Sequence, residues 1–306
     1  MTDYPRDMLG YADNPPLPQW PNQARLALQI VLNYEEGAEN NIRHGDAGSE
    51  TFLSEIINAE SFNQRHMSME SLYEYGSRAG FWRLHDLLND LSIPVTVFGV
   101  GMAMERNASV VEAMLRADWE IASHAYRWIS HQTMPLEQER EQIALAFETH
   151  QRVTGNPPLG WYTGRDSPNT RKILLEYSGL LYDSDSYADD LPYWHINENR
   201  PHLIIPYTLD TNDMRFATLQ GFNSGDQFFT YLKDAFYQLY EEGAHSPKML
   251  NVGLHCRITG RPGRTRALKR FLEYVSAHKD VWKSRRVDIA PVSYTHLRAH
   301  ETADHR

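Results

Sequence analysis

The sequence predicts an α/β fold, most economically a barrel, and three observations carry that expectation. Apolar, strand-length runs alternate with segments of helical apolar spacing along most of the chain. Five of the strand-like runs end on a polar residue capable of chemistry. No repeat, low-complexity stretch or convincing linker breaks the alternation, so residues 25–291 are expected to form one domain. In parallel β/α architectures the strand exits share one face, so residues distant in sequence converge there.

The elements follow in order. Residues 1–24 are polar, with Pro15, Pro16 and Pro18, and read as an extended arm. Leu26 to Asn33 reads as the first strand and runs into Tyr34, Glu35 and Glu36. From Gly37 to about Gly76 the sequence is long and irregular, and such loops are usually lids or oligomer contacts. Gly80 to Leu88 has helical spacing, and Val95 to Val100 is a buried strand behind Pro94. A helix is expected over 108–117. Trp119 to Ser123 is a strand leading into His124. A second helix covers 135–154, with Ile143, Ala146, Phe147 and Val153 on one face and Gly155 as its stop. Leu159 to Tyr162 precedes Arg165, and Leu180 to Tyr182 precedes Asp183 and Asp185. Ser224-Gly-Asp-Gln227 is a capping-box pattern opening a helix that ends at Gly243. Met249 to Leu254 runs into His255, and Pro262 opens a last strong helix with Leu268, Phe271, Leu272 and Val275 inward. From about Val292 to Arg306 no apolar periodicity remains. That stretch resembles translated vector sequence, so it is set apart from the fold together with His296, His300 and His305.

Composition narrows the function. A hydrophobic content of 41% and charged content of 23% are ordinary for a soluble globular protein. A net charge of −10 argues against nucleic acid or an anionic membrane as partner. The single cysteine, Cys256, excludes an intrachain disulfide and a cysteine-based zinc site. With no signal-peptide pattern and no membrane-length apolar run, a cytoplasmic protein is expected.

Two carboxylates, two imidazoles and a guanidinium at strand exits suggest one active site. Glu35 and Glu36 are adjacent, and neighbours on a strand face opposite ways, so only one readily aims at a given atom. A carboxylate there activates water or binds a cation; the pair also reads as a solvated loop. A two-histidine metal site would favour a second His one turn after His124, and that position holds Trp128, which offers only an N–H donor. A zinc site would then need His124, His255 and carboxylates. Arg165 can hold a carbonyl, ureido or carboxylate oxygen with its planar fork, or pair with Asp166 or Asp183. Asp185 is the acidic residue of its segment chosen to orient a cation. His255 suits a general acid, while alternation turns Cys256 away and disfavours a Cys–His nucleophile pair. The 210–215 and 221–224 segments read as substrate loops.

Tyr34-Glu35-Glu36-Gly37, His124 to Trp128, Arg165, Asp183 to Asp185 and Leu254-His255 resemble, in order, the motifs of the polysaccharide deacetylase family with its NodB homology domain. The resemblance spans roughly residues 20–290 and implies an irregular (β/α)7 barrel of TIM-like type. In that family the usual chemistry is metal-dependent removal of N- or O-acetyl groups. Here both acids of the first motif are glutamates and Trp128 replaces the second histidine, so no metal or other cofactor is expected. Met1–Tyr11, Asn33–Gly37, Glu74–Trp82 and Phe222–Phe229 are similar to the allantoinase branch of the family. That resemblance implies metal-independent hydrolysis of the cyclic amide of (S)-allantoin to allantoate in purine catabolism, by a homotetramer. In it Glu36 (or Glu35) is the base, His124 holds water or polarises the carbonyl, His255 protonates the leaving nitrogen and Arg165 meets the oxyanion. Trp128, Tyr162, Asp185, Asn212, Asp213 and Phe222 supply walls and ureido contacts. Two alternatives stand beside it: a metal-dependent amino-sugar deacetylase, and a non-catalytic sugar- or ureide-binding barrel.

Overall fold

The run from Leu26 to Tyr34 forms the first and longest strand, β1, and all nine of its residues are buried. A strand of a parallel sheet is covered on both faces, which is why its sequence is nearly continuous apolar rather than alternating. The computed structural model describes residues 6–11, 16–196 and 201–293. After β1 come helices α1 (Met67–Tyr75) and α2 (Phe81–Asp90), joined without a break by a π-helical stretch, Gly76–Gly80. Strand β2 (Val95–Gly99), α3 (Gly101–Glu105), α4 (Ala108–Arg116), β3 (Glu120–Ser123) and α5 (Leu136–Thr154) follow. Then come β4 (Gly160–Trp161), α6 (Thr170–Leu174), β5 (Tyr182–Asp183), β6 (Tyr193–Ile196) and β7 (Pro201–Ile204). The described residues close with α7 (Gly225–Glu242), β8 (Lys248–His255), α8 (Pro262–Ser276), β9 (Val281–Lys283) and a helix over 286–293.

The strands β7-β5-β4-β3-β2-β1-β8 form the parallel wall of an irregular β/α barrel, as the sequence led us to expect. Strand β6 adds antiparallel to β7, and β9 extends the edge of β1 below β2. The start signals read from the sequence are present. Ser224 caps α7 by accepting from the Gln227 N–H at 3.2 Å, Pro262 sits in the first turn of α8, and Gly155 ends α5 at φ +85°.

Between β7 and β8 the wall has no regular ladder; it is joined by a bridge from Asn212 to Gly253, by hydrogen bonds of Thr211 and Asn251, and by Arg286. The Arg286 side chain is buried inside the barrel. It donates to the carbonyls of Ile205 and Pro206, to the side chains of Asn251 and Gln29, and to Ser184 Oγ at 3.1 Å.

Three features depart from the sequence reading. The irregular segment ends earlier than Gly76, because Met69 and Tyr73, four apart, bury one face of a helix that begins at Met67. The β6–β7 hairpin was not anticipated. Residues 286–293 form a further helix, reaching two residues into the stretch set apart as vector-like, and it buries Ile289 and Ala290 against Trp20, Ala27 and Met249. The remainder of that tail, 294–306 with its three histidines, lies outside the described residues. So do 1–5 and 12–15 of the arm, whose far end is fastened where Trp20 Nε1 donates to the Lys248 carbonyl at 2.9 Å. No described helix is long and apolar enough to cross a membrane.

Candidate active site

The inward face of β1 decides which glutamate faces the barrel. Gln29 reaches Arg286, Val31 packs with Phe98, Ala122, Tyr162 and Tyr207, and Asn33 donates to Tyr207 Oη at 2.9 Å. The next residue in that period of two is Glu35. It lines a cavity of about 260 Å³ at the strand exits, together with Asn33, His124 and His255. Tyr162, Tyr207, Trp128 and Arg165 form walls, and Phe52 and Leu53 of the long 37–66 loop close over it.

His124 lines this cavity, and Ala125 after it holds a left-handed φ of +60°, rare for a residue other than glycine. Its Nδ1 donates to the Tyr162 carbonyl at 2.7 Å, and its ring stacks on the Tyr162 ring at 5.1 Å. A carbonyl only accepts, so Nδ1 carries the proton, and Nε2 faces Glu35 Oε1 at 3.4 Å. His255, at the end of β8, places its Nε2 3.5 Å from that same oxygen. Its Nδ1 donates to Asp213 Oδ1 at 2.6 Å and its backbone N–H to Asp213 Oδ2 at 2.7 Å. Burial pulls the His255 imidazole down, but the charges of Glu35 and Asp213 outweigh it and hold the group protonated up to about 9.

The two glutamates titrate in opposite directions. Burial raises both. For Glu35 it is overcome by Arg257, whose Nη1 lies 2.8 Å from Glu35 Oε2, and by His255, so its carboxyl stays well below the usual range. For Glu36, with Nη1 at 3.7 Å and the charge of Glu35 beside it, burial wins and the carboxyl is pushed up.

Of the residues predicted for the site, Glu35, His124, His255, Arg165, Trp128, Tyr162 and Asn212 line the cavity. Glu36 does not: alternation sends it to the other side, where its carboxylate packs on Gly76 and borders a separate hollow with Tyr73 and Glu39. Asp185 is also outside the lining; it accepts from the Thr163 and Gly164 N–H groups at 2.8 Å and so supports the turn presenting Arg165. Asp213 is not a ureido contact but sits behind His255. Phe222 belongs to a ring cluster with Phe216 and Phe228, 5.4 Å apart, beside α7. The Asp183 station is spent on structure, ion-paired to Arg171 at 2.8 Å and in contact with His202 Nε2 at 3.0 Å. Sequence reasoning missed Arg257, Asn33, Tyr207 and Phe52. Asn33 was findable, being two residues before Glu35 on the same strand face. Arg257 stands two residues past His255, but nothing local says what it pairs with. A larger hollow of about 700 Å³, bordered by Asp189, Asp190 and Asp210, offers no imidazole.

A divalent cation, the usual partner of the family that the motifs resemble, does not fit this donor set. Trp128 has no lone pair to give, Arg257 already holds Glu35, and no group of three His, Cys, Asp or Glu side chains among the described residues is arranged to hold a metal.

The comparisons with known proteins bear on the family and the fold. The polysaccharide deacetylase family model matches residues 64–177. A Schizosaccharomyces pombe protein assigned to the polysaccharide deacetylases is 42% identical, over 93% of this chain and 95% of its own. Among solved structures, a Puue allantoinase has a TM-score of 0.94 at 58% identity, covering 96% of this chain and 98% of that one. A Pseudomonas aeruginosa PAO1 protein assigned to the polysaccharide deacetylases has a TM-score of 0.93, also at 58% identity, covering 94% and 97%. Barrel and site together define a hydrolase of the deacetylase superfamily. The chain belongs to the polysaccharide deacetylase family.

Proposed function

We propose that this chain is an allantoinase, opening the hydantoin ring of (S)-allantoin to allantoate with acid and base groups of its own. One observation carries the proposal: a single carboxylate oxygen, Glu35 Oε1, stands 3.4 and 3.5 Å from two imidazole nitrogens inside a chamber of only about 260 Å³. Such a chamber falls just below the roughly 300–1,000 Å³ of drug-sized ligand sites. It suits one small molecule better than a glycan chain. The 58% identity with a Puue allantoinase supports the same substrate.

Glu35 takes a proton from water while the water oxygen bonds to the ring carbonyl carbon. His124 Nε2, 3.4 Å from Glu35 Oε1, stands beside the carboxylate and holds that water in place. The Arg165 guanidinium, above the Trp128 ring at 4.2 Å, meets the oxygen that becomes negative. His255 delivers its Nε2 proton to the ring nitrogen as the C–N bond breaks, leaving a carboxylic acid and a second ureido group. The Glu35 proton then passes to His255, 3.5 Å away, and the acid ionises to solvent, restoring both groups.

The test is turnover of allantoin by the purified protein before and after exhaustive chelation. Allantoate formation that survives chelation is the expected result. Loss on chelation with recovery on adding zinc overturns the metal-free chemistry. No allantoin turnover, with release of acetate from N-acetylglucosamine oligomers, would instead favour the activity named for the Pseudomonas relative.

A further inference from the structure

Arg257 is buried with only 2% of its surface exposed, and it does not line the cavity. Its guanidinium carbon lies 4.2 Å from the Tyr73 ring centre and 5.2 Å from that of Trp128, within the range in which ring faces attract a cation. Its Nε donates to the Leu53 carbonyl at 3.1 Å, and Nη1 approaches Glu35 Oε2 at 2.8 Å. The two oxygens of Glu35 are thereby divided. Oε2 faces the guanidinium and Oε1 faces the imidazoles.

We infer that Arg257 is a built-in cation of this site, a positioning residue that keeps Glu35 ionised and aims Oε1 at the reacting water. The inference rests on the assignment of Glu35 as the base. A carboxylate buried without a counter-charge takes up a proton and ceases to be a base. His255 cannot be the permanent counter-charge, because it gives up its proton in each turnover. A guanidinium keeps its charge at every working pH and presents a planar fork to a carboxylate. Trp128 completes the seat: its indole contributes a ring face to a guanidinium and no lone pair to a metal.

The experiment replaces the cation. Arg257→Ala is expected to lower kcat roughly 100-fold, the scale of losing one charged or donor group at a reacting centre. It should also move the acid limb of kcat/KM to higher pH. Guanidinium chloride at low millimolar concentration should restore turnover and raise the melting temperature of the variant without affecting the unsubstituted protein. Urea at equal concentration, the same shape without the charge, should do neither. Should Arg257→Ala fail to fold, Arg257→Lys and Trp128→Leu carry the test. The lysine variant keeps the charge and should keep the acid limb near its original place; Trp128→Leu weakens the seat and should shift the limb part of the way. A folded Arg257→Ala with an unchanged pH profile, or equal rescue by urea, overturns the inference, as does a lysine variant with a fully shifted limb. The guanidinium-dependent melting rise is read without substrate, so it stands or falls apart from the identity of that substrate.

Discussion

Glu35 and Glu36 are the same side chain one residue apart, and their surroundings give them opposite proton affinities. Glu35 is held ionised by Arg257 and His255, whereas burial keeps Glu36 nearer its neutral form. Glu35→Gln is therefore expected to lower kcat by about 1,000-fold or more, within the range for a lost base. Glu36→Gln, which removes a group outside the cavity, should retain turnover within about tenfold on the same scale. Steady-state kinetics on the two variants separates them, and reversal of that order would return the base to Glu36. His255 supplies a second test. It must be protonated to act as an acid, so kcat/KM should fall as pH rises through about 9. Stability moves with it. A group raised in the folded state contributes fully below its unfolded value near 6.5, and that contribution, on the order of 3 kcal/mol, is lost as pH rises through about 9. Glu39, pushed up to about 7 by burial, acts in the same direction. Glu35, shifted downward, contributes above its usual range and loses that contribution as pH falls through its lowered value. Urea unfolding should thus show less stability at pH 9.5 than at pH 6.

Arg257 is delivered to its place by an unusually close approach of two elements. The π-helical stretch between α1 and α2 meets the loop after β8, and a Cβ added at Gly80 would stand 2.0 Å from the Cys256 carbonyl oxygen. A Cβ at Gly260 would stand 2.1 Å from the same oxygen and 2.4 Å from the Gly80 Cα. Both contacts are with backbone, so no side-chain rotation relieves them. Gly260→Ala should cost about 1–3 kcal/mol of stability as an overpacking substitution. Because Cys256 precedes Arg257, it should also lower kcat without a matching change in KM. Thermal melts and kinetics read the two effects, and wild-type values for both would show that the approach does not matter. The long loop of 37–66 works at this scale too: Phe52 stacks on Trp128 at 5.8 Å and Leu53 accepts from Arg257, so the lid and the cation are fastened together.

For the whole molecule the notable feature is the seam between β7 and β8, which Arg286 of the 286–293 helix helps to close. Leaving a buried acceptor without its donor costs about 1–3 kcal/mol. Arg286→Met should reach that range, since it strips partners from Asn251, Gln29 and two carbonyls at once. Denaturant unfolding checks it, and a loss below 1 kcal/mol would mean that the ladder of β1 with β2 and β8 holds the barrel without the seam.

Local pattern determined much of this protein. The strand and helix alternation, the caps at Ser224, Pro262 and Gly155, and the strand exits carrying Glu35, His124 and His255 follow from periodicity and short-range stereochemistry, which act within a few residues. The parity that Gln29, Asn33 and Glu35 share in an otherwise apolar run is also a local signal, yet the sequence reading put Glu36 first as the base, and the packing of β1 was needed to turn Glu35 inward. Pairings across the barrel were not legible. That Arg257 takes Glu35, that Asp213 stands behind His255 instead of meeting substrate, and that Arg286 bridges a seam depend on residues some 40 to 260 positions apart. Charge partners in a buried site are chosen by closure of the sheet and by the cost of leaving any of them alone, and neither quantity is written in a local stretch of sequence.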